Sequence, residues 1–272
     1  MPETGFYNLS KEEREKLVVS INRDITGDIS EGTTDKIFRY FSDDDTYIRK
    51  AGYLAVGRIC RSDNKIKSAT VRILHNLFNS DNVKVRQTVI NAAGEIGIYD
   101  FETVEDFFNK GLLDIHHSVR NAVTGSVKKM SEKNPRSVLN WARQYLHHRD
   151  KEVRKQICHG IELRGRTHPQ DVLPLLEELQ NDESTAVRKM LIHVLGQISY
   201  KKGCLQKVIK TLNHWDNQLL VMLALDEIVE VHERYQRFAV LSQQEVIEFI
   251  NSNYAKSVTD IGSKYRYKGA KW

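Results

Sequence analysis

The feature that most constrains this chain is a motif that returns at a nearly fixed interval. Five times in the sequence, an aliphatic residue followed by arginine comes shortly after an aspartate. The pairs are Ile48-Arg49, Val85-Arg86, Val119-Arg120, Val153-Arg154 and Val187-Arg188. Their arginines stand 37, 34, 34 and 34 residues apart. A period of this size is typical of stacked helical repeats, so the sequence predicts an all-α fold, a right-handed α-solenoid of about six repeats.

The composition is compatible with an all-α fold and excludes few other fold classes. Of the 272 residues, 40% are hydrophobic and 28% charged, and there are only four prolines to interrupt helices. No run approaches the roughly 20 apolar residues of a membrane span, and the first residues lack the features of a secretory signal. We therefore expect a cytoplasmic protein with no membrane partner, in which Cys60, Cys158 and Cys204 are buried and reduced. The net charge of +5 permits a polyanionic partner without requiring one.

Each period contains a polar turn and then a helix that opens with the aliphatic-arginine pair. The aspartate of the turn is expected to accept backbone N–H groups at the start of the helix. A glycine stands eight residues after the arginine in three repeats, and we expect it to make room where the next repeat passes close. These glycines are Gly57, Gly94 and Gly196. We expect each arginine to reach the aspartate of a neighbouring turn, so that the arginines join the repeats and do not themselves form a binding site.

We name the helix that begins with the pair the inner helix of its repeat, and the helix before the turn the outer helix. The predicted outer helices are Thr70–Phe78, Phe101–Lys110, Arg136–Leu146, Pro169–Gln180 and Cys204–Leu212. A sixth inner helix without the arginine is predicted at Leu219–Tyr235, followed by a capping helix at 243–253. We expect a flexible N-terminus (1–10), a solenoid (11–253) and a flexible, basic tail (254–272) in which aromatic residues alternate with cations.

The repeat pattern resembles HEAT repeats over residues 35–235. Residues 150–230 also resemble the HEAT-like DNA alkylation repair family, the bacterial 3-methyladenine DNA glycosylases. The similar segments are HPQDVLPLLEELQNDESTAVRKM at 168–190, GQIS at 196–199 and VIKTLNHW at 208–215. The resemblance implies an α-solenoid that holds duplex DNA on a basic concave face and excises cationic N-alkylated bases.

The chain departs from this family at positions that carry its chemistry. One branch of the family reads approximately V-R-x-x-x-S-E-G-x-R-P-R-L-P-W where residues 153–167 read VRKQICHGIELRGRT. The positions that match are Val153, Arg154, Gly160 and Arg164. His159 stands at the acidic position, Glu162 at the first motif arginine and Thr167 at the final tryptophan, and Gln197 replaces an acidic residue in the next repeat. Because excision needs a carboxylate near the sugar and aromatic edges near the base, the sequence predicts the family's scaffold without its complete active site.

The fourth repeat differs from the other four. Its glycine, Gly160, comes six residues after the arginine, and Arg164 stands ten after it, where the first, second, third and fifth repeats have an apolar residue. One interpretation is a groove in which Glu162, Arg164 and Arg166 contact phosphate or a partner protein. The other is a shortened helix with a solvated polar end. The sequence leaves both open.

Histidines and tryptophans have similarly open interpretations. The neighbouring pairs His116-His117 and His147-His148 fit turn or surface positions, because adjacent side chains point apart, and we expect no metal site and no cofactor. Trp141 and Trp215 fit the core between repeats. The alternative for both is a ring in the groove that stacks on a base or holds a cation, and Trp215 is the better candidate because it lies in the segment VIKTLNHW.

We expect the chain to bind nucleic acid, specifically duplex DNA, on a basic concave groove. The residues expected to bind DNA or another partner are Arg164, Arg166, Lys201, Lys202, Lys264, Arg266 and Lys268. If the chain is an enzyme, a glycosylase acting on N-alkylated bases is expected, and the candidate catalytic residues are Glu162, His159 and Trp215. The alternative is a non-catalytic protein-protein interaction scaffold. A bilin-lyase type of HEAT enzyme has no distinguishing residue in this chain.

Overall fold

The computed structural model describes residues 5–62 and 64–254, without the side chains of residues 62, 64 and 65. Within these ranges the chain is α-helical, with one short 3-10 turn at Phe6–Asn8 and no β-strand. It forms two compact units, one ending at Val138 and the other beginning at Leu139. The predicted tail, with Lys264, Arg266 and Lys268, lies outside the described residues.

The first unit contains three helices that open with the aliphatic-arginine pattern, and these alternate with other helices. In chain order its helices are α1 (Lys11–Glu31), α2 (Asp35–Phe41), α3 (Thr46–Ser62), α4 (Asn64–Phe78), α5 (Val83–Gly97), α6 (Glu105–Gly111) and α7 (His117–Lys133). Helix α8 (Pro135–Arg143) contains the boundary between the units. The long helix α1 begins with a capping box, in which Ser10 and Glu13 each accept the other's backbone N–H.

The second unit repeats the alternation of inner and outer helices. Its helices are α9 (Lys151–Gly160), α10 (Glu162–Gly165), α11 (Pro169–Glu177), α12 (Thr185–Gln197), α13 (Cys204–Leu212), α14 (Gln218–Arg234) and α15 (Gln243–Asn253). The predicted outer helix at 204–212 and the predicted capping helix at 243–253 coincide with α13 and α15. The inner helix predicted at 219–235 is α14, displaced by one residue. The predicted all-α helical-repeat fold is confirmed.

Inner helices pack against the inner helices of neighbouring repeats. In the first unit α5 lies between α3 and α7, and in the second unit α12 lies between α9 and α14. Their buried faces are aliphatic: Val85, Val89 and Ile96 on α5 and Val187, Leu191 and Val194 on α12 are all at most 4% exposed. The valine that begins each stripe is the aliphatic member of the motif. The motif therefore marks the side of each inner helix that enters the core.

The repeating arginine has one role in all five repeats. Its Nη1 donates hydrogen bonds to the backbone carbonyls six and five residues before it, in the turn that precedes its own helix. In the second repeat, for example, Arg86 donates to Ser80 and Asp81 at 2.8 and 3.1 Å. These carbonyls lie near the C-terminus of the outer helix, where acceptors lack helical partners. The arginine thus joins the inner helix of its own repeat to the turn that follows the outer helix.

Two of the five arginines, Arg86 and Arg154, also join consecutive repeats, whereas such a contact was predicted for every one of them. Arg86 donates to both carboxylate oxygens of Asp114 at 2.8 and 3.2 Å, and Arg154 does the same to Asp182 at 2.6 and 2.9 Å. Both acceptors stand six residues before the next repeat's arginine. The second repeat has Ser80 at that position, so it offers Arg49 no carboxylate there. The residue six before the motif arginine therefore decides where an inter-repeat ion pair forms.

The glycines eight residues after the arginine lie where the neighbouring inner helix passes close, as expected. A Cβ on Gly57 would stand 2.6 Å from the Cβ of Glu95 on α5, and one on Gly94 would stand 2.6 Å from the Ser126 hydroxyl on α7. A Cβ on Gly196 would come within 2.7 Å of Glu227 on α14. These separations are shorter than carbon contacts allow, so the close approach of inner helices depends on glycine at this position.

Candidate functional site

The inner helix of the fourth repeat is broken. Helix α9 ends at Gly160 and a single turn, α10, begins at Glu162. In this repeat the glycine that lies against the next repeat is Gly165, because a Cβ there would lie 2.6 Å from Ile198. Glu162 itself stands eight residues after Arg154, where three other repeats have glycine. The break therefore places a carboxylate, instead of a hydrogen atom, beside the next inner helix.

Glu162 is buried and ion-paired. The residue is 1% exposed, and its Oε1 lies 2.5 Å from Nη2 of Arg166. The same guanidinium nitrogen donates to Oε1 of Gln197 on α12 at 2.8 Å. Arg166 thus connects the fourth repeat to the fifth through two side-chain acceptors. One interpretation of the fourth repeat is a shortened helix with a solvated polar end. Glu162 does not fit it, because its carboxylate is buried and paired.

Two histidines lie against the other oxygen of this carboxylate. Nε2 of His159 is 3.2 Å from Oε2 of Glu162, and Nε2 of His193 is 3.8 Å from the same atom. Their rings meet edge to face, with centroids 5.9 Å apart. Both imidazoles are part-exposed, at 33% and 40% of their side-chain area. The result is a buried carboxylate with two solvent-reachable histidines, which we name the His-Glu-His cluster (His159, Glu162 and His193).

Arg164 occupies a different place from the other predicted groove residues. It bonds Asp171 on α11, through Nε at 2.7 Å and Nη2 at 2.6 Å, and its side chain is 16% exposed. This ion pair joins the broken inner helix to the outer helix of the next repeat. The structure therefore brings Glu162 and Arg166 together, as predicted, while Arg164 is engaged in a contact between helices.

A basic and aromatic patch surrounds the turn after α12. The ammonium of Lys201 lies 5.0 Å from the ring centroid of Tyr200 and 6.0 Å from that of Phe238. Arg166 approaches Tyr200 at 5.8 Å from the ring centroid, which connects this patch to the carboxylate. Phe238 is 66% exposed although it is a large apolar ring. Lys202 is exposed beside Lys201 in the same turn.

Both tryptophans discussed as possible stacking residues lie in the core. Trp141 is 2% exposed and Trp215 is fully buried. A base cannot reach the Trp215 ring in this arrangement, so its packing matches the core interpretation. An exposed aromatic ring of the second unit is instead that of Phe238, and the part-exposed ring of Tyr235 lies 5.7 Å from the buried ring of Tyr200.

All three cysteines are free and buried, as expected. Cys158 lies in the same part of the molecule as the cluster. Burial, together with the nearby negative charge of Glu162, raises the pKa of the Cys158 thiol far above its ordinary value. The group therefore stays a neutral thiol and behaves as a small apolar residue.

The turns at the two ends of the inner helices carry opposite charge. The turns before them hold aspartates, which include Asp114, Asp150 and Asp182. The last residues of the inner helices of the second unit and the turns after them are rich in cations, and these are Arg164, Arg166, Lys201, Lys202, Arg234 and Arg237. Cations are favoured at helix C-termini by the helix dipole, so part of this pattern stabilises the fold. We name these six cations the basic edge of the second unit; Lys202, Arg234 and Arg237 are exposed, and Arg164, Arg166 and Arg234 are ion-paired with carboxylates.

An apolar groove of about 560 Å³ also lies between α12 and α14. Leu219, 72% exposed, and Ile192 line it together with Lys189, Asp226 and Glu230. Among the described residues, no helix is both long enough and apolar enough to cross a membrane.

These features define an α-helical repeat protein, and comparison with known proteins indicates the type of repeat in residues 139–225. A family profile described as HEAT repeats matches residues 139–225. No curated protein sequence matches the chain significantly. The predicted resemblance to HEAT repeats is confirmed for the matched residues.

Three solved structures of similar fold are distant from this chain in sequence. AlkD2 from Streptococcus mutans has a TM-score of 0.51 and 17% identity, and the match covers 78% of this chain and all of that one. The protein smu.31 from Streptococcus mutans UA159 has a TM-score of 0.49 and 19% identity, covering 69% of this chain and 97% of the other. At this identity the AlkD2 match supports the fold only. A designed armadillo repeat protein is still less similar, with a TM-score of 0.33 at 14% identity over 72% of this chain and 98% of that one.

The sequence reading did not identify His193, Tyr200 and Phe238 as parts of the site. The sequence does contain a pattern that could have identified His193. His159 and His193 each stand five residues after a motif arginine, so the repeat period places them side by side on α9 and α12. Tyr200 and Phe238 lie in turns outside the periodic positions, and only the packing of these turns reveals them.

Proposed function

We propose that the chain binds nucleic acid, with duplex DNA as the principal ligand, through the basic edge of residues 139–254. The observation that carries the proposal is the cluster formed by half-buried Lys201, exposed Lys202 and exposed Phe238 with Tyr200 and Arg166. Lysine and arginine neutralise phosphates, and exposed rings beside them provide stacking surface for bases. The resemblance of residues 150–230 to the DNA alkylation repair family supports a duplex ligand.

We propose binding without base excision. Stabilising positive charge on the sugar requires a carboxylate that the substrate can approach. The side chain of Glu162 is only 2% exposed, and its two oxygens face Arg166 and His159. Trp215, the other buried candidate, cannot hold a cationic base from the core. His159 is reachable but carries no acidic oxygen, so the catalytic candidates do not assemble the chemistry that the resemblance implies.

A salt titration tests the proposal. A labelled duplex is titrated with the protein at two salt concentrations, and the same is done for K201E/K202E. We expect the affinity of the unaltered protein to fall steeply with salt, since each phosphate contact releases counterions. If both lysines contact phosphate, the slope of log affinity against log salt decreases by about 1.8 in the variant.

The matched control is K207E/K210E, which changes the net charge equally on the exposed face of outer helix α13. We expect it to bind much more tightly than K201E/K202E. Equal weakening of the two variants, or an unaltered protein that does not bind duplex DNA, would overturn the proposal and leave the protein-scaffold alternative. A parallel incubation with alkylated duplex separates binding from catalysis, because release of a free base would show a glycosylase.

A further inference from the structure

We propose that His159, Glu162 and His193 form a binding site for a divalent transition-metal ion, with Zn²⁺ as the best-fitting ion. Their ligand atoms, two imidazole nitrogens and one carboxylate oxygen, all lie within 4.8 Å of one another. Zinc binds nitrogen and oxygen at about 2.0–2.2 Å, so ligands of a tetrahedral ion stand roughly 3.3–3.6 Å apart. The two histidine nitrogens lie 3.2 and 3.8 Å from Oε2 of Glu162, and these separations bracket that range.

The separation of His193 from Glu162 favours a shared ion over a hydrogen-bonded network. At 3.2 Å, His159 is close enough to hydrogen-bond Glu162 directly. At 3.8 Å, His193 is beyond hydrogen-bond range of the same oxygen, but within about 0.2 Å of the separation expected for two ligands of one tetrahedral ion. The edge-to-face arrangement of the two rings brings both Nε2 atoms to one oxygen.

The repeat architecture explains how these three ligands meet. His159 and His193 occupy the same position of consecutive repeats on the packed helices α9 and α12. Glu162 comes from the turn that replaces the end of the fourth inner helix. The broken helix is therefore what adds a carboxylate to a pair of histidines, and this combination differs from the usual two-histidine pattern within a single helix.

Arg166 and Gln197 form the surroundings that such a site needs. Arg166 binds Oε1 of Glu162, which leaves Oε2 directed at the histidines, and Gln197 holds the guanidinium from the next helix. Groups that hydrogen-bond to a metal-ligating side chain commonly orient that side chain toward the metal. The positive charge of Arg166 opposes a cation, but the anionic carboxylate between them offsets much of this repulsion.

The ligand set also indicates what kind of ion would bind. Imidazole suits zinc and its neighbours in the transition series, whereas Mg²⁺ and Ca²⁺ prefer oxygen alone. Three protein ligands leave a tetrahedral ion with an open position, as in zinc sites where water or a substrate is the fourth ligand. Since both imidazoles are part-exposed, that position faces solvent.

The test uses the full-length protein, stripped with a chelator, and metal salts alone. Co²⁺ is added first, because its visible absorption reports the coordination of imidazole and carboxylate, and Zn²⁺ is then added to displace it. We expect one Co²⁺ per chain, displaced by one Zn²⁺. We expect H193A and E162Q to bind at least about tenfold more weakly.

The matched control is H147A. His147 also lies against a glutamate, with Nε2 2.9 Å from Oε2 of Glu178, but this exposed pair belongs to no three-ligand cluster among the described residues. We expect H147A to bind Co²⁺ as the unaltered protein does. The His193 side chain is 40% exposed, so H193A is expected to keep the circular-dichroism spectrum and Tm even if E162Q does not.

Two outcomes would overturn the proposal. One is an unaltered protein that binds no Co²⁺ or Zn²⁺, and the other is an H193A protein that binds as tightly as H147A. The measurement contains no nucleic acid, so its result is independent of the DNA titration. A protein could bind metal and no DNA, or DNA and no metal, and the two experiments would show which.

Discussion

Asp182 shows how one residue joins two repeats and makes stability depend on pH. Its side chain is 5% exposed and accepts two hydrogen bonds from Arg154. Burial alone would raise the pKa of Asp182, but the hydrogen bonds from Arg154 and from the backbone N–H of Ser184, with the guanidinium charge, hold this pKa below its ordinary value. Asp114 has the same surroundings, with Arg86 and the N–H of His116 as donors.

This lowered pKa predicts a loss of stability in acid. The folded state binds the proton of Asp182 less readily than the unfolded chain, so the stabilisation is fully present above the unfolded pKa of about 3.9 and is lost as pH falls through the lower folded value. We expect D182N to lose about 3 kcal/mol at neutral pH, because it leaves Arg154 buried without its anion. Urea unfolding from pH 7 to pH 2 measures this, and the variant should lose less further stability below pH 4 than the unaltered protein.

The control for Asp182 is D81N, an exposed aspartate in the equivalent turn of the second repeat. Surface changes of this kind usually alter stability by no more than about 0.5 kcal/mol. If D81N and D182N were equally destabilised, the ion pair with Arg154 would not be the cause.

At the scale of the helix, glycine positions decide how closely inner helices pack. Gly57 and Gly125 are both inside inner helices, where glycine is intrinsically unfavourable. They differ in their surroundings: a Cβ on Gly57 would overlap Glu95, whereas nothing lies within 4 Å of one on Gly125. The same substitution should therefore have opposite effects at the two positions.

We expect G57A to destabilise the protein by about 1–3 kcal/mol, because its methyl group forces α3 and α5 apart. G125A should stabilise it by up to about 1 kcal/mol, since alanine removes the entropy cost of glycine and meets no neighbour. Paired thermal unfolding curves measure both effects. A stabilised G57A would contradict the role given to this glycine.

At the scale of the whole molecule, a helical-repeat chain is held together by contacts between neighbours. Helix α15 packs against α14 and α13 and closes the described C-terminal end of the second unit. Its buried residues are Val246 and Ile250, both 0% exposed. In such an arrangement, a destabilising substitution at one end is expected to lower the stability of nearby repeats more than that of distant ones.

We expect I250A to lower the free energy of unfolding of the C-terminal repeats by about 2–5 kcal/mol, since it leaves a cavity under the capping helix. Hydrogen exchange should accelerate in α13, α14 and α15, while protection in α3, α5 and α7 stays the same. I90A, at a fully buried position of α5, should give the reverse pattern. Uniform acceleration along the chain in both variants would show that the protein unfolds as a single cooperative body.

The periodic features of this protein were predictable because they depend on residues close in sequence. The aliphatic-arginine pair, the glycine eight residues later and the polar turn predicted inner helices, their buried faces and the close contacts at Gly57, Gly94 and Gly196. Buried cysteines and the capping helix followed from similar local arguments. The boundaries of most outer helices were less accurate, because packing rather than propensity decides where a short helix ends.

The helical repeat follows from residues that lie near one another in the chain, whereas folding selects which distant side chains meet. Arg164 was predicted to line a groove, but the fold pairs it with Asp171. Glu162, His159 and His193 meet because a break at Ile161 in the fourth inner helix directs a carboxylate toward two histidines of consecutive repeats. A helix can be predicted from neighbouring residues, since its hydrogen bonds are local. Contacts between residues about 30 positions apart depend on how helices stack and where one of them breaks, and only the folded chain determines that.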